Sequence, residues 1–227
     1  MPDLLRTDHL TVCYGRRSAL RDVSLHLKDQ GHIVGLFGQN GAGKSTLIRV
    51  LCGQIARFTG TITMPDRIGY LPDAFFLYDF LTIRQSMTLA AALFDDFDPT
   101  VAREIFTALQ LRESMRVGQA SKGMREQIHL ALILARRCPL YIFDEPLAAV
   151  DPLTRDRLID LIRCYRTPGS TVILSTHLIS GLEDLFDEAL VIHDGALVAH
   201  ENTRTLAPQG GLEALVKEMI ATHALAR

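Results

Sequence analysis

The sequence predicts an α/β fold. A mixed-sheet core carries an antiparallel β subdomain at its N-terminus and an inserted α-helical subdomain. Three observations predict it. The apolar run "HIVGLF" leads through a glycine-rich turn into helical spacing from Lys44 to Cys52. Two further apolar runs, "LYIFDE" and "TVILSTH", flank a helical stretch, as in a βαβ unit with a buried parallel sheet. Residues 3–36 alternate in the manner of short strands, with turns at Gly15 and at Asp29-Gln30-Gly31.

The remaining elements follow in order. "GTITM" and "RIGYL" read as strands flanked by Gly60, Pro65 and Asp66. Residues 75–136 are rich in Ala and Leu and mostly helical, with a break at "DDFDPT". There Asp98 is placed to cap a helix whose first turn holds Pro99. "ALVIHDGALVAHE" reads as a hairpin turning at Asp194-Gly195. Leu212, Leu215, Val216, Met219 and Ile220 fall on one face of a terminal helix, for the body or for a partner. The expected organisation is one domain over 1–227. About 1–74 and 137–227 form the core with its β subdomain, and about 75–136 the helical subdomain.

Composition excludes some classes. A net charge of −2 gives no whole-protein basic field, so no nucleic-acid partner is expected. The four cysteines form no C-x-x-C pair and read as free thiols in a reducing compartment. No apolar run approaches the ~20 residues of a membrane span, and "MPDLLRTDHL" has no signal pattern. A chain that neither crosses a bilayer nor is secreted is expected.

The most specific motif is "GQNGAGKST", a G-x-x-x-x-G-K-[ST] pattern between a strand and a helix. Its glycines, Gly38, Gly41 and Gly43, let the backbone wrap a phosphate chain without Cβ clashes, so that several N–H groups of the loop, which also holds Asn40, converge on the oxygens. Lys44 bridges the outer phosphates, Ser45 offers a hydroxyl to Mg²⁺, and Thr46 donates to an inner phosphate. The motif is therefore read as a nucleoside triphosphate site on a P-loop core, and it does not fix the reaction. Asp144 ends the run "LYIFD", where it can hold Mg²⁺ through water. Glu145 points differently and can polarise an attacking water. His177 follows "TVILST" at another strand tip, on the ligand side of a parallel sheet, and is read as a γ-phosphate contact. A second anion site is implied by "ASKGM", where Ser121, Lys122 and Gly123 open a helix.

Taken in order, Tyr14, "GQNGAGKST", "YLPD", "SKGM", "IFDEP", "AAVD" and "STH" resemble the ATP-binding cassette (ABC) ATPases over nearly the whole chain. The resemblance implies ATP and Mg²⁺ as ligands, Tyr14 stacked on adenine, Glu145 as general base and His177 as the switch histidine. It also explains the second anion site. In this family two cassettes sit head to tail, and a Ser-x-Gly helix start binds the γ-phosphate held by the other subunit. Ser121 and Gly123 would serve the partner's ATP, with Asp151 reaching across the same interface. Both halves of the site lie on this chain, so a homodimer is expected, with a heterodimer as the alternative.

The chain departs from the family pattern at Ala120, Lys122 and Met124 of the signature, usually Leu-Ser-Gly-Gly-Gln. Asp73 replaces the usual glutamine that ligates Mg²⁺ and links to the helical lobe; the expectation is that Asp73 keeps that role. "SKGM" and "YLPD" look most like ATPase subunits of bacterial type-2 exporters. That implies a separate transmembrane permease, docked near Asp73 and the region from Phe75 to Thr82. The protein would then lie on the inner face of the cell membrane. The alternatives are a non-transport cassette ATPase and an ATP-gated regulatory module. A GTPase is disfavoured by the lack of N-K-x-D, and a kinase gives no reason for the Ser-x-Gly helix start.

Overall fold

The computed structural model describes residues 3–74, 76–148, 150–206 and 211–224. Two antiparallel strands open the chain, β1 (Asp3–Tyr14) and β2 (Arg17–Lys28), joined through the turn at Gly15. They are longer than the short strands expected. The apolar alternation changes parity within each one. In β1 the buried positions pass from Leu5 and Thr7 to Leu10 and Val12. In β2 they pass from Leu20 to Val23, Leu25 and Leu27. His9 and Asp22 sit at these changes with left-handed φ of 52° each. Each is the extra residue of a β-bulge, and the two bulges compensate, so the pairing resumes beyond them.

The core sheet begins with β3 (Ile33–Phe37). After the glycine loop comes helix α1 (Lys44–Leu51). Strand β4 (Thr59–Thr63) joins β1 in the N-terminal sheet, which has the order β2-β1-β4. Strand β5 (Ile68–Leu71) returns to the core sheet. The inserted helices follow: α2 (Ile83–Leu93), α3 (Pro99–Ala108) and α4 (Lys122–Leu134). Asp98 caps α3 as expected, accepting from the N–H groups of Thr100 and Val101. Helix is absent from 76–82, where Pro72 and a run of aromatics precede the Thr82 capping box.

Strands β6 (Leu140–Asp144) and β7 (Thr171–Ser175) flank α5 (Pro152–Tyr165), and β8 (Glu188–His193) and β9 (Ala196–Asn202) form the terminal hairpin. The sheet order is β5-β6-β7-β3-β8-β9. All pairs are parallel except β8–β9, which turns on Asp194 (φ 48°) and Gly195 (φ 81°). Helix α6 (Gly211–Ala224) lays Leu212 and Val216 into the core, with Leu215, Met219 and Ile220 partly buried beside them.

The core sheet divides two apolar layers. Tyr141 and Phe143 of β6 face the layer containing α2 to α5, while Leu140 and Ile142 face the layer of α1 and the N-terminal sheet. Burial of both faces explains why β3, β6 and β7 read as continuous apolar runs. Parallel pairing directs the C-terminal ends of β3, β6 and β7 to one rim. None of the described helices is long and apolar enough to cross a membrane.

Candidate functional site

The glycine loop occupies the rim at the end of β3. Gly38, Gly41 and Gly43 have φ of 152°, 81° and 117°. Asn40 and Gly41 are exposed at its tip. A Cβ on Gly38 would lie 2.3 Å from the Ile192 carbonyl oxygen, and one on Gly43 2.8 Å from that of Ala19. The Gly195 N–H donates to the Ala42 carbonyl at 2.7 Å. The loop is thus backed by the turn of the terminal hairpin and the start of β2. This support was not legible in the sequence, where Asp194-Gly195 reads only as a turn.

Lys44 is buried, and its ammonium donates to the Gly38 carbonyl at 2.7 Å and the Gln39 carbonyl at 3.4 Å. It lies 3.8 Å from Oε1 of Glu145. His177 Nδ1 is 2.9 Å from the other oxygen, Oε2. The Glu145 carboxylate is therefore held between two nitrogens. Glu145 itself has φ 52°, a left-handed backbone at a non-glycine residue, at a strand tip where strain of this kind accompanies function. Thr46 is half-buried on the first turn of α1.

Asp144 is 3 % exposed. Its Oδ1 accepts from Ser175 Oγ at 2.7 Å and from Ser45 Oγ at 3.5 Å. Its charge, added to the larger effect of burial, pushes the Cys52 thiol up to about 12. Tyr70 is also pushed up to about 12, by burial first, then Cys52, then Asp144. The donor set is hard oxygen beside a phosphate cradle. That fits Mg²⁺, which takes one or two protein oxygens and completes its shell with phosphate and water. No cluster of three or more His, Cys, Asp or Glu among the described residues forms an all-protein metal cage.

Lys44, Ser45, Asp144, Glu145 and His177 thus form one continuous contact set, and Ser175, missed as a separate residue within "STH", is its hub. The other candidates lie outside that set. Tyr14 is 51 % exposed at the end of β1. Ser121 caps α4, with Oγ accepting the Met124 N–H at 3.3 Å. Gly123 faces α5; a Cβ there would lie 3.0 Å from Thr154 Oγ1. Asp151 caps α5, accepting from Thr154 N at 3.0 Å and Thr154 Oγ1 at 2.6 Å. Those bonds hold its carboxyl below the usual carboxylate range. Ala149 of "AAVD" lies outside the described residues, as does Phe75.

Asp73 is exposed, and its charge reaches Glu126 on α4. Burial is the larger cause of the raised Glu126 carboxyl, opposed by Lys122. Beside this region an apolar groove of 610 Å³ is lined by Phe76, Tyr78, Leu89, Leu93 and Phe94. The α2 side of this groove was not singled out in the sequence, where 75–136 reads only as a mostly helical stretch rich in Ala and Leu.

A family model described as ABC transporter matches residues 20–148. The chain is 29% identical over 227 residues to the ABC-type transporter ATP-binding protein EcsA of Bacillus subtilis, covering 92% of each. It is 30% identical to the manganese transport system ATP-binding protein MntB of the same organism, covering 82% of each. A solved structure of the ATP binding subunit of an ABC transporter aligns with a TM-score of 0.80 at 28% identity, covering 95% of this chain and 99% of that one. A rim of strand tips that gathers a phosphate loop and two acids is what a nucleotide-hydrolysing cassette requires. With more than half its length matched, this chain belongs to the ABC transporter family, as an ATP-binding, ATP-hydrolysing subunit.

Proposed function

We propose that the chain hydrolyses ATP in a composite site formed by two cassettes head to tail, and thereby powers a separate membrane permease. The single observation that carries the reading is the Glu145 carboxylate held between Lys44 and His177 at the mouth of the glycine loop. Lys44 leaves the loop carbonyls for the outer phosphates of ATP, while backbone N–H groups from Gly38 to Lys44 and the Thr46 hydroxyl grip the rest. Glu145 then orients and polarises the attacking water, and His177 contacts the γ-phosphate. Ser45 and Asp144 would hold Mg²⁺, with Asp73 as a further ligand. Bound there, Mg²⁺ would supply charge neutralisation for the phosphoryl oxygens. Tyr14, exposed beside the loop's supporting strand, stacks on adenine.

Ser121, Gly123 and Asp151 belong to the second half of the site. A hydroxyl has one proton and two lone pairs, so Ser121 can accept from Met124 N–H and still donate to a phosphate on the facing subunit. A homodimer suffices, since each chain carries both halves. The helical segment of about 75–136 is the permease-facing lobe, and the aromatic groove beside Asp73 is its docking surface. On the resemblance of "SKGM" and "YLPD", the direction is export and the location is the inner face of the membrane.

The experiment is Glu145→Gln. With ATP and Mg²⁺ it should accumulate an ATP-bound dimer on size-exclusion chromatography and lose turnover by at least ~10²-fold. Normal turnover would remove Glu145 from the role of base.

A further inference from the structure

We propose that Ser175 is a positioning residue for the reaction, which sets the metal-holding face of Asp144 and the backbone from which Glu145 projects. It rests on the roles given above to Asp144 and Glu145. Ser175 ends β7 directly opposite Asp144 in the strand register, and it is fully buried. Its Oγ donates to Asp144 Oδ1 at 2.7 Å and accepts the Glu145 N–H at 2.9 Å. The same N–H is directed at the Ser175 carbonyl at 3.2 Å.

The polarity of this link is forced. A serine hydroxyl has one proton. Glu145 N–H can only donate, so that proton goes to the carboxylate. A charge-assisted bond then fixes the rotation of the Asp144 carboxylate, and with it the oxygen that Ser45 also approaches. On its other side the hydroxyl holds the first atom of Glu145, whose left-handed backbone is disfavoured unless its surroundings impose it. Partners that orient a metal ligand in this way change affinity or activity by roughly 10–100-fold when removed.

The test uses the full chain with ADP bound and Mn²⁺ as a paramagnetic probe for the Mg²⁺ position. Ser175→Ala should weaken Mn²⁺ binding in the ADP complex by roughly 10–100-fold. It should lower kcat, raise the Mg²⁺ needed for half-maximal turnover, and leave ADP affinity in EDTA unchanged. Ser175→Thr, which restores the hydroxyl, should recover most of the loss, and Ser175→Cys, close in size with a weaker donor, should fall between.

Wild-type Mn²⁺ affinity in Ser175→Ala would overturn the proposal. So would a parallel loss of ADP affinity in EDTA, because a general disturbance of the pocket gives that result. The Mn²⁺ measurement needs no turnover. Failure of Glu145→Gln to slow hydrolysis would strike the assigned base and leave this measurement standing.

Discussion

The nucleotide site depends on atoms that occupy very little space. Gly195 has φ 81°, and a Cβ there would sit 2.7 Å from the Ala19 carbonyl oxygen. Gly195→Ala should therefore cost about 1–3 kcal/mol in thermal or urea melting. Because Gly195 N–H supports Ala42, ADP affinity should fall with it. Lys44→Ala acts differently. It should weaken ADP and ATP binding in calorimetric titration while the melting temperature without nucleotide stays within a few degrees, since the lysine's hydrogen bonds are to its own loop and Glu145, its ion-pair partner, keeps His177. Ser121→Ala should cost about 1 kcal/mol of stability through the lost cap. Its larger effect should be on ATPase activity, with binding of ATP to the monomer unchanged. At this scale the glycine loop with Lys44 and Ser45, and the strand-tip acids Asp144 and Glu145, were legible as candidates because their pattern is written locally, at fixed spacing. Ser175 was not, because its meaning lies in facing Asp144 across the register, and within "TVILSTH" it reads as the end of an apolar strand.

Joins between elements carry a different kind of information. Arg136, just after α4, makes two bonds to Asp96, at 2.8 and 2.9 Å. It also donates to the Ile68 carbonyl at 2.8 Å and lies over the Phe94 ring at 4.0 Å. One guanidinium thus ties the helical segment to β5. Its bonds hold the Asp96 carboxyl below the usual carboxylate range despite burial. Arg136→Ala would leave Asp96 buried and unpaired, and should destabilise by about 3–5 kcal/mol in urea titration. Double replacement of Arg136 and Asp96 by apolar residues should recover a large part of that. Neither residue stood out in the sequence, since one arginine and one aspartate far apart have no spacing that links them. The helices themselves were legible from apolar periodicity and from Asp98-Pro99. The lengths of β1 and β2 were not, because bulges at His9 and Asp22 break the alternation that a strand reading counts.

For the whole molecule, acid sensitivity has an identifiable source. His129 is 2 % exposed on α4, against the Phe76 ring at 4.6 Å. Burial first, and Arg125 second, push it down to about 4. The unfolded chain binds a proton near pH 6.5, while the native one binds it only near pH 4. Stability is therefore fully present above about 6.5, declines as pH falls between 6.5 and 4, and levels off below. The contribution is at most roughly 3 kcal/mol. Urea midpoints measured from pH 7.5 to 5 should fall more steeply for the wild type than for His129→Phe. Assembly sets a second whole-molecule expectation: specific ATPase activity should fall on dilution, and a constant value would argue against a shared site. A third comes from the hairpin that backs the phosphate loop. Gly38 and Ala42 touch Ile192 and Gly195, residues made long after them. On a translating ribosome the complete glycine motif emerges early yet lacks its rear wall, so nascent chains halted before Glu188 should fail to retain nucleotide, and ATP cannot guide the first stages of folding.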